Sequence, residues 1–166
     1  MTPSRDERLA TAISLREDGQ LEQARQLLLG LRAEFPADAH MALQTAWAHD
    51  KMGLEEEAAP HYEAALAGDL SDDELRSAFL GLGSTYRALG RDADSDRVLR
   101  QGVERFPDYR PLRVFHALTL YSLGQPRAAV EGLLTLLLET TADADIQRYR
   151  STLAAYADDL DRSWLA

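Results

Sequence analysis

Four histidines, His40, His49, His61 and His116, are the side chains best suited by type to acid–base work or metal ligation. No two of them stand four residues apart with a glutamate beside the first, the spacing that sets two imidazoles and a base on one helix face around zinc. His49-Asp50 is the nearest thing to a catalytic pair, and further ligands at suitable spacing are missing. Cysteine is absent, which removes disulfides, thiolate nucleophiles and thiolate-bound zinc together. The glycines of "GLGSTYRALG" (81–90) lack the spacing of a phosphate-cradling loop and follow no strand; they let neighbouring helices pack closely. Glu55, Glu56 and Glu57 open a helix, where negative charge offsets the dipole, and read as a solvated face. No catalytic residue, metal or cofactor is assigned. A hydrolase or other enzyme built around His49, Asp50 and Arg87 is kept as the alternative to a binding protein.

The elements that would position such groups are helices. The chain has 166 residues, about one domain's worth, and enough to bury a core. It holds 28 Leu and 26 Ala but only 4 Val and 2 Ile. Leu and Ala lose little freedom in a helix, whereas β-branched residues favour strands. The class is all-α. Eighteen Lys+Arg against 28 Asp+Glu leave a net charge of −10, which argues against nucleic acid and anionic membranes as partners, since both call for a positive footprint. Asp6, Glu7 and Arg8 stand where a signal peptide would be apolar, and the run from Leu133 to Leu138 is interrupted by Thr135 and too short to span a bilayer. A cytoplasmic, soluble protein is expected.

Helix breakers recur: "EDGQLEQA", "KMGLEEEA", "ALGRDADS" and "SLGQPRAA" place Gly19, Gly53, Gly90 and Gly124 at intervals of 34, 37 and 34 residues. Five residues after each glycine stands a small residue: Ala24, Ala58, Ser95 or Ala129. "FPAD" and "FPDY" fall at the same offset from Gly19 and Gly90. A period of this length marks a solenoid whose units cannot bury their apolar faces alone. Within a unit, one helix ends at the glycine and a second starts at once, its small residue letting the axes approach. Helix pairs are expected at 5–18 and 21–35, 39–52 and 55–68, 73–89 and 92–105, and 110–123 and 126–140.

These residues resemble the tetratricopeptide repeat family. Ala12, Gly19, Ala24, Leu31 and Pro36 match its pattern in unit one, Ala46, Gly53, Ala58 and Ala65 in unit two, Gly83, Tyr86, Gly90 and Pro107 in unit three, and Ala117, Gly124 and Ala129 in unit four. "QTAWAHDKMG" and "LGLGSTYRALG" look like a bacterial group of short stand-alone members. The resemblance implies a right-handed superhelical solenoid of four hairpins in one domain, with repeats at about 5–38, 39–72, 76–109 and 110–141 and a C-terminal capping helix at about 143–164. It further implies a protein-interaction scaffold that binds a protein or peptide and forms a homodimer. The family's concave face projects onto Leu9, Ile13 and Arg16 of unit one, onto His40 and Leu43 of unit two, and onto Leu80 and Gly81 of unit three. The partner-binding residues taken from that face are Gln44, Trp47, Asp50, Lys51, Ser84, Arg87, Phe115, Leu118 and Tyr121, with Val114 beside them. Asp50 and Arg87 hold equivalent places in adjacent units and are expected to pair. The alternative for Trp47, Phe115 and Tyr121 is that they fill inter-helix space. The clamp with which some members hold acidic chaperone tails falls here on Leu9, Ile13, Gln44, Ser77 and Gly81, and only Gln44 approximates it.

Departures from the pattern carry expectations of their own. Unit two lacks the closing proline and runs on through "GDLSDDEL", so a longer loop is expected, with Ser71 capping the next helix. Pro60 lies inside a helix and is expected to bend it. Ser95 and Gly102 replace alanines, making the second helix of unit three the loosest. Beyond unit four, Ile146, Tyr149, Leu153, Tyr156, Ala157, Leu160 and Trp164 recur at helical spacing after a start capped by Thr141 or Asp143. That helix either caps the last repeat or serves as a dimerisation element.

Overall fold

The computed structural model describes residues 3–161 and 163, and among these the Leu- and Ala-rich segments fold into ten helices and no strand. Four antiparallel pairs follow in order: α1 (Arg5–Glu17) with α2 (Leu21–Glu34), α3 (Ala39–Asp50) with α4 (Glu55–Leu66), α5 (Asp72–Ala88) with α6 (Asp92–Arg105), and α7 (Arg110–Ser122) with α8 (Pro126–Thr140). Two short helices close the chain, α9 (Ala144–Arg148) and α10 (Arg150–Asp158). Among the described residues, no helix is long and apolar enough to cross a membrane.

The turns share one construction. Gly19, Gly53, Gly90 and Gly124 all have φ between +71° and +79°, the left-handed region that a Cβ disfavours. The residue after each glycine donates its N–H to the carbonyl five positions back: Gln20 to Leu15 (2.8 Å), Leu54 to His49 (3.0 Å), Arg91 to Tyr86 (2.8 Å) and Gln125 to Leu120 (2.9 Å). This bond satisfies orphan helix carbonyls and reverses the chain within two residues. The small residue of each second helix then seats against the first helix, with Ala24, Ala58 and Ser95 fully buried and Ala129 nearly so.

Consecutive pairs stack. α3 packs on both α1 and α2, α5 on both α3 and α4, and α7 on both α5 and α6. Leu9, Ala12, Leu28, Leu31, Met41 and Ala48 form one buried cluster, and residues of α3 to α6 around Leu43, Tyr62, Leu82 and Tyr86 form the next. α3 contributes to both and is buried on almost every side, from Ala39 to His49. The long loop after unit two ends as expected in a capping box: Ser71 Oγ accepts from Glu74 N–H, and Glu74 returns a carboxylate oxygen to Ser71 N–H at 2.9 Å.

α4 runs from Glu55 to Leu66 with the exposed Pro60 inside it. Ser95 and Gly102 of unit three both sit in close contacts. The Ser95 hydroxyl donates to the Gly83 carbonyl (2.7 Å) and meets Thr119 Oγ1 (2.8 Å), tying α5, α6 and α7 together. A Cβ at residue 102 would lie 3.0 Å from both Leu112 Cδ2 and Phe79 Cβ, so α6 packs closely against its neighbours at this glycine. The single helix expected at 143–164 is broken at Tyr149. Asp143 caps α9, accepting from Asp145 and Ile146, while Arg150 donates to the Leu138 carbonyl (2.7 Å) and turns the chain onto α8. Helix ends at Asp158, where Arg127 of α8 pairs with Asp159 and with Asp161. Trp164 lies outside the described residues.

Candidate functional site

The first helices follow one another along one face, α1 on α3, α3 on α5 and α5 on α7. Where the first three meet, a cleft of 510 Å³ opens, lined by Arg16 of α1, by Trp47, Asp50 and Lys51 at the end of α3, and by Ser77, Leu80 and Gly81 of α5. Tyr62 reaches it from α4, a second helix. The reach depends on Gly81. A Cβ there would stand 2.4 Å from Tyr62 Cζ and 2.6 Å from its hydroxyl, so the missing side chain is the passage through which the phenol enters.

The cleft holds both charge signs. Tyr62 donates its hydroxyl to Asp50 Oδ2 at 2.7 Å. Burial pushes the Asp50 carboxyl above the ordinary aspartate range, against the opposing effect of that hydrogen bond. Burial also raises the Tyr62 phenol, and the neighbouring Asp50 charge adds to it. Arg16 lies with its guanidinium carbon 5.2 Å from the centroid of the Trp47 ring, within cation–π range. Its side chain is 10% exposed, and among the described residues its Nε has no hydrogen-bond partner and its one ion pair, to the exposed Glu17, is long at 3.5 Å. Lys51 is exposed at the rim and makes no ion pair among the described residues.

Of the residues expected to bind, Trp47, Asp50 and Lys51 are brought together here. Gln44 is buried, its Oε1 unpaired, and does not line the cleft. Ser84 and Phe115 are half-buried away from it, while Leu118 and Tyr121, the latter 67% exposed, lie on α7 with Val114. The expected Asp50–Arg87 pair does not form. Asp50 is taken by Tyr62, and Arg87 Nε donates forward to the Leu118 carbonyl (3.2 Å) and Ser122 Oγ (3.0 Å) of α7. Tyr62 stands on a second helix and joins this face only because residue 81 of the following repeat is glycine, a dependence that first-helix positions do not register.

Nor are His49, Asp50 and Arg87 assembled as a group. His49 is buried, its Nδ1 is bonded to the Thr45 carbonyl at 2.8 Å, and its ring sits 5.1 Å from that of His61. Burial and the neighbouring His49 and Arg32 push His61 down to about 4. Among the described residues no three His, Asp or Glu side chains group as a metal site.

Glycine-turned hairpins stacked so that their first helices share a grooved face define a helical-repeat solenoid. The family model "Tetratrico peptide repeat" matches residues 39–160, and the chain belongs to that family. Repeats of this family generally mediate protein–protein interaction. No curated protein shows significant similarity to the chain.

Proposed function

We propose that this protein is a non-enzymatic scaffold, cytoplasmic, that takes a peptide, a helix or a partner protein along the concave face of its first helices. The observation that carries the reading is the cleft at Trp47, where an aromatic face, an aliphatic side chain and unspent charge meet in a space of 510 Å³. Trp and Arg are the residue types most often dominant in binding energy, and Trp47 and Arg16 lie stacked here. Further along the same row of helices, Val114, Leu118 and Tyr121 are exposed at helical spacing on α7, with Arg87 anchored beside them. A segment lying across both regions would engage Trp47, Arg87 and Tyr121.

The test is capture of partners from the native cell by the wild type and by the triple variant Trp47→Ala, Arg87→Ala, Tyr121→Ala. Loss of the partners with helicity intact by circular dichroism supports the groove. Retention by the folded triple variant moves the working surface to the convex side or to α10. Self-association belongs to the same proposal. Val130, Leu133 and Leu137 stand exposed in one row on α8, and exposed apolar patches mark interfaces.

A further inference from the structure

Among the described residues seven large apolar side chains stand exposed, and six of them form two rows at one end of the stack. Val114, Leu118 and Tyr121 lie on α7, and Val130, Leu133 and Leu137 on α8. We infer that the seam between these rows is a receptor for one amphipathic helix of a partner protein, seated as the first helix of a fifth unit would be. This surface lies beyond the cleft at Trp47, at the far end of the row of first helices, and takes a ligand of its own.

The chain itself shows what such a seam holds. Each of the six stands 71 residues after a counterpart in unit two, the distance from Gly53 to Gly124. The counterparts are Leu43, Trp47 and Asp50 on α3 and Ala59, Tyr62 and Leu66 on α4, and α5 covers them. Leu43, Ala59 and Tyr62 are buried in one cluster with Ala78 and Leu82 of α5, and the Tyr62 ring fills the space over Gly81. Leu66 lines a cavity with Phe79 and Leu82. In unit three α7 meets the same positions: Arg87 donates to the Leu118 carbonyl, Asp96 meets His116 Nε2 at 2.7 Å, and Leu99 is fully buried. The last unit of a solenoid ordinarily turns a polar face outward. Unit four does the reverse, with Tyr121 and Val130 where its predecessors have Asp50, Arg87 and Asp96.

Other occupants fit less well. α10 packs on α8 from the side of Thr135 and Leu138, tied there by Arg150 to the Leu138 carbonyl and by Leu160 N–H to Glu131 at 3.0 Å. Val130, Leu133 and Leu137 keep 36–41% exposure beside it. A second copy arriving head to tail would offer α1, which has the exposed Glu7, Ala10 and Thr11 at the places of Ala78, Gly81 and Leu82 in α5. That contact would bury a carboxylate against leucines. A second copy related by a two-fold axis brings another open seam and no helix to lie in it. The fitting ligand resembles α5 or α3, a helix of 12 to 17 residues with small and apolar residues on one face. That face is uncharged, because neither row supplies a charge to pair with it. The α8 row is also the one assigned to self-association, so such a helix and a second copy compete.

The probes are synthetic copies of α3, α5 and α7, each held helical by a lactam bridge on its solvent side, since isolated helices of this length are marginal in water. The chain has four valines, Val98 and Val103 on α6, Val114 on α7 and Val130 on α8, so labelled valine methyls put two reporters in the seam and two in unit three. At least one copy should move Val114 and Val130, leave Val98 and Val103 in place, and convert the dimer into a one-to-one complex in sedimentation. Leu133→Glu with Leu137→Glu, at exposed positions, should weaken that copy at least about tenfold, the worth of burying one large apolar side chain. The α5 copy carrying Ala78→Glu and Leu82→Glu should lose as much against the unaltered protein. No movement of Val114 and Val130 with any copy up to about 1 mM, a concentration that reveals even weak complexes, would overturn the inference. So would movement of Val98 and Val103, which reports exchange with the chain's own helices, or a dimer that no copy dissociates, which leaves the seam to a second copy. Movement of the Trp47 indole without Val114 and Val130 would place the copies in the concave cleft, overturning this inference while supporting that one; the cleft itself stands or falls by the triple variant.

Discussion

Tyr62 and Gly81 occupy the same space: the phenol of one stands where the Cβ of the other would be, at 2.4 Å. A residue of a second helix thereby reaches across to Asp50 and becomes part of the face built by first helices. Gly81→Ala must displace the ring, breaking the bond to Asp50 and overpacking the α4–α5 seam. A loss of about 1–3 kcal/mol is expected, reduced by up to about 1 kcal/mol because alanine is the better helix former. Gly30→Ala is the control, since a Cβ at that exposed helical position meets nothing within 4 Å, and it should gain about 0.5–1 kcal/mol. Urea unfolding of the two variants reads both signs.

His61 sets a pH dependence. Its folded value of about 4 lies below the ordinary 6.5, so between these values the unfolded chain binds the extra proton. Stability therefore rises with pH across that window and is lost as pH falls from 6.5 toward 4. The ring is only half-buried, and after discounting for solvent the effect is about 1 kcal/mol. Urea midpoints between pH 7 and 4.5 should show the slope in the wild type and a reduced one in His61→Gln.

Ser95→Ala removes the hydroxyl that joins Gly83 of α5 to Thr119 of α7. Thr119 Oγ1 keeps its bond to the Phe115 carbonyl at 3.2 Å, so the expected loss is that of one buried hydrogen bond, about 0.5–1.5 kcal/mol. Thermal melts should fall by several degrees for a domain of this size. An unchanged melting point would mean that water replaces the lost bond.

Self-association is testable at the α8 row. Leu133→Glu with Leu137→Glu places charge on two exposed positions whose loss costs the fold little. Sedimentation at tens of micromolar should show a dimer for the wild type and a monomer for the variant. A wild-type monomer would rule out the homodimer.

The repeat was legible because it is one-dimensional. Glycine phase, the small residue five positions later and the Leu/Ala bias place α1 to α8 within two residues of the observed ends. What was not legible depends on neighbours far along the chain. Tyr62 needed Gly81, Arg87 chose a carbonyl one repeat ahead over Asp50 one repeat behind, and Ser95 looked like a weak alanine until Gly83 and Thr119 were set beside it. The apolar stripe from Ile146 to Leu160 promised one helix, but periodicity does not register an arginine that finds a carbonyl on α8 and turns the chain at Tyr149.

The double burial of α3 has a consequence for the chain as it is made. With cluster partners before and after it, α3 leaves only the edge of His40, Trp47 and Asp50 partly open, and the rest of its surface is buried. During synthesis α1 and α2 are ready to cover one side as it emerges, but the other waits for α4 and α5, which end 38 residues later, at Ala88. At about 5–20 residues per second that is several seconds of open apolar helix on every ribosome. Nascent chains halted between Asp50 and Asp72 should therefore be the form that hydrophobic-surface-binding chaperones hold, and chains halted beyond Ala88 should be released.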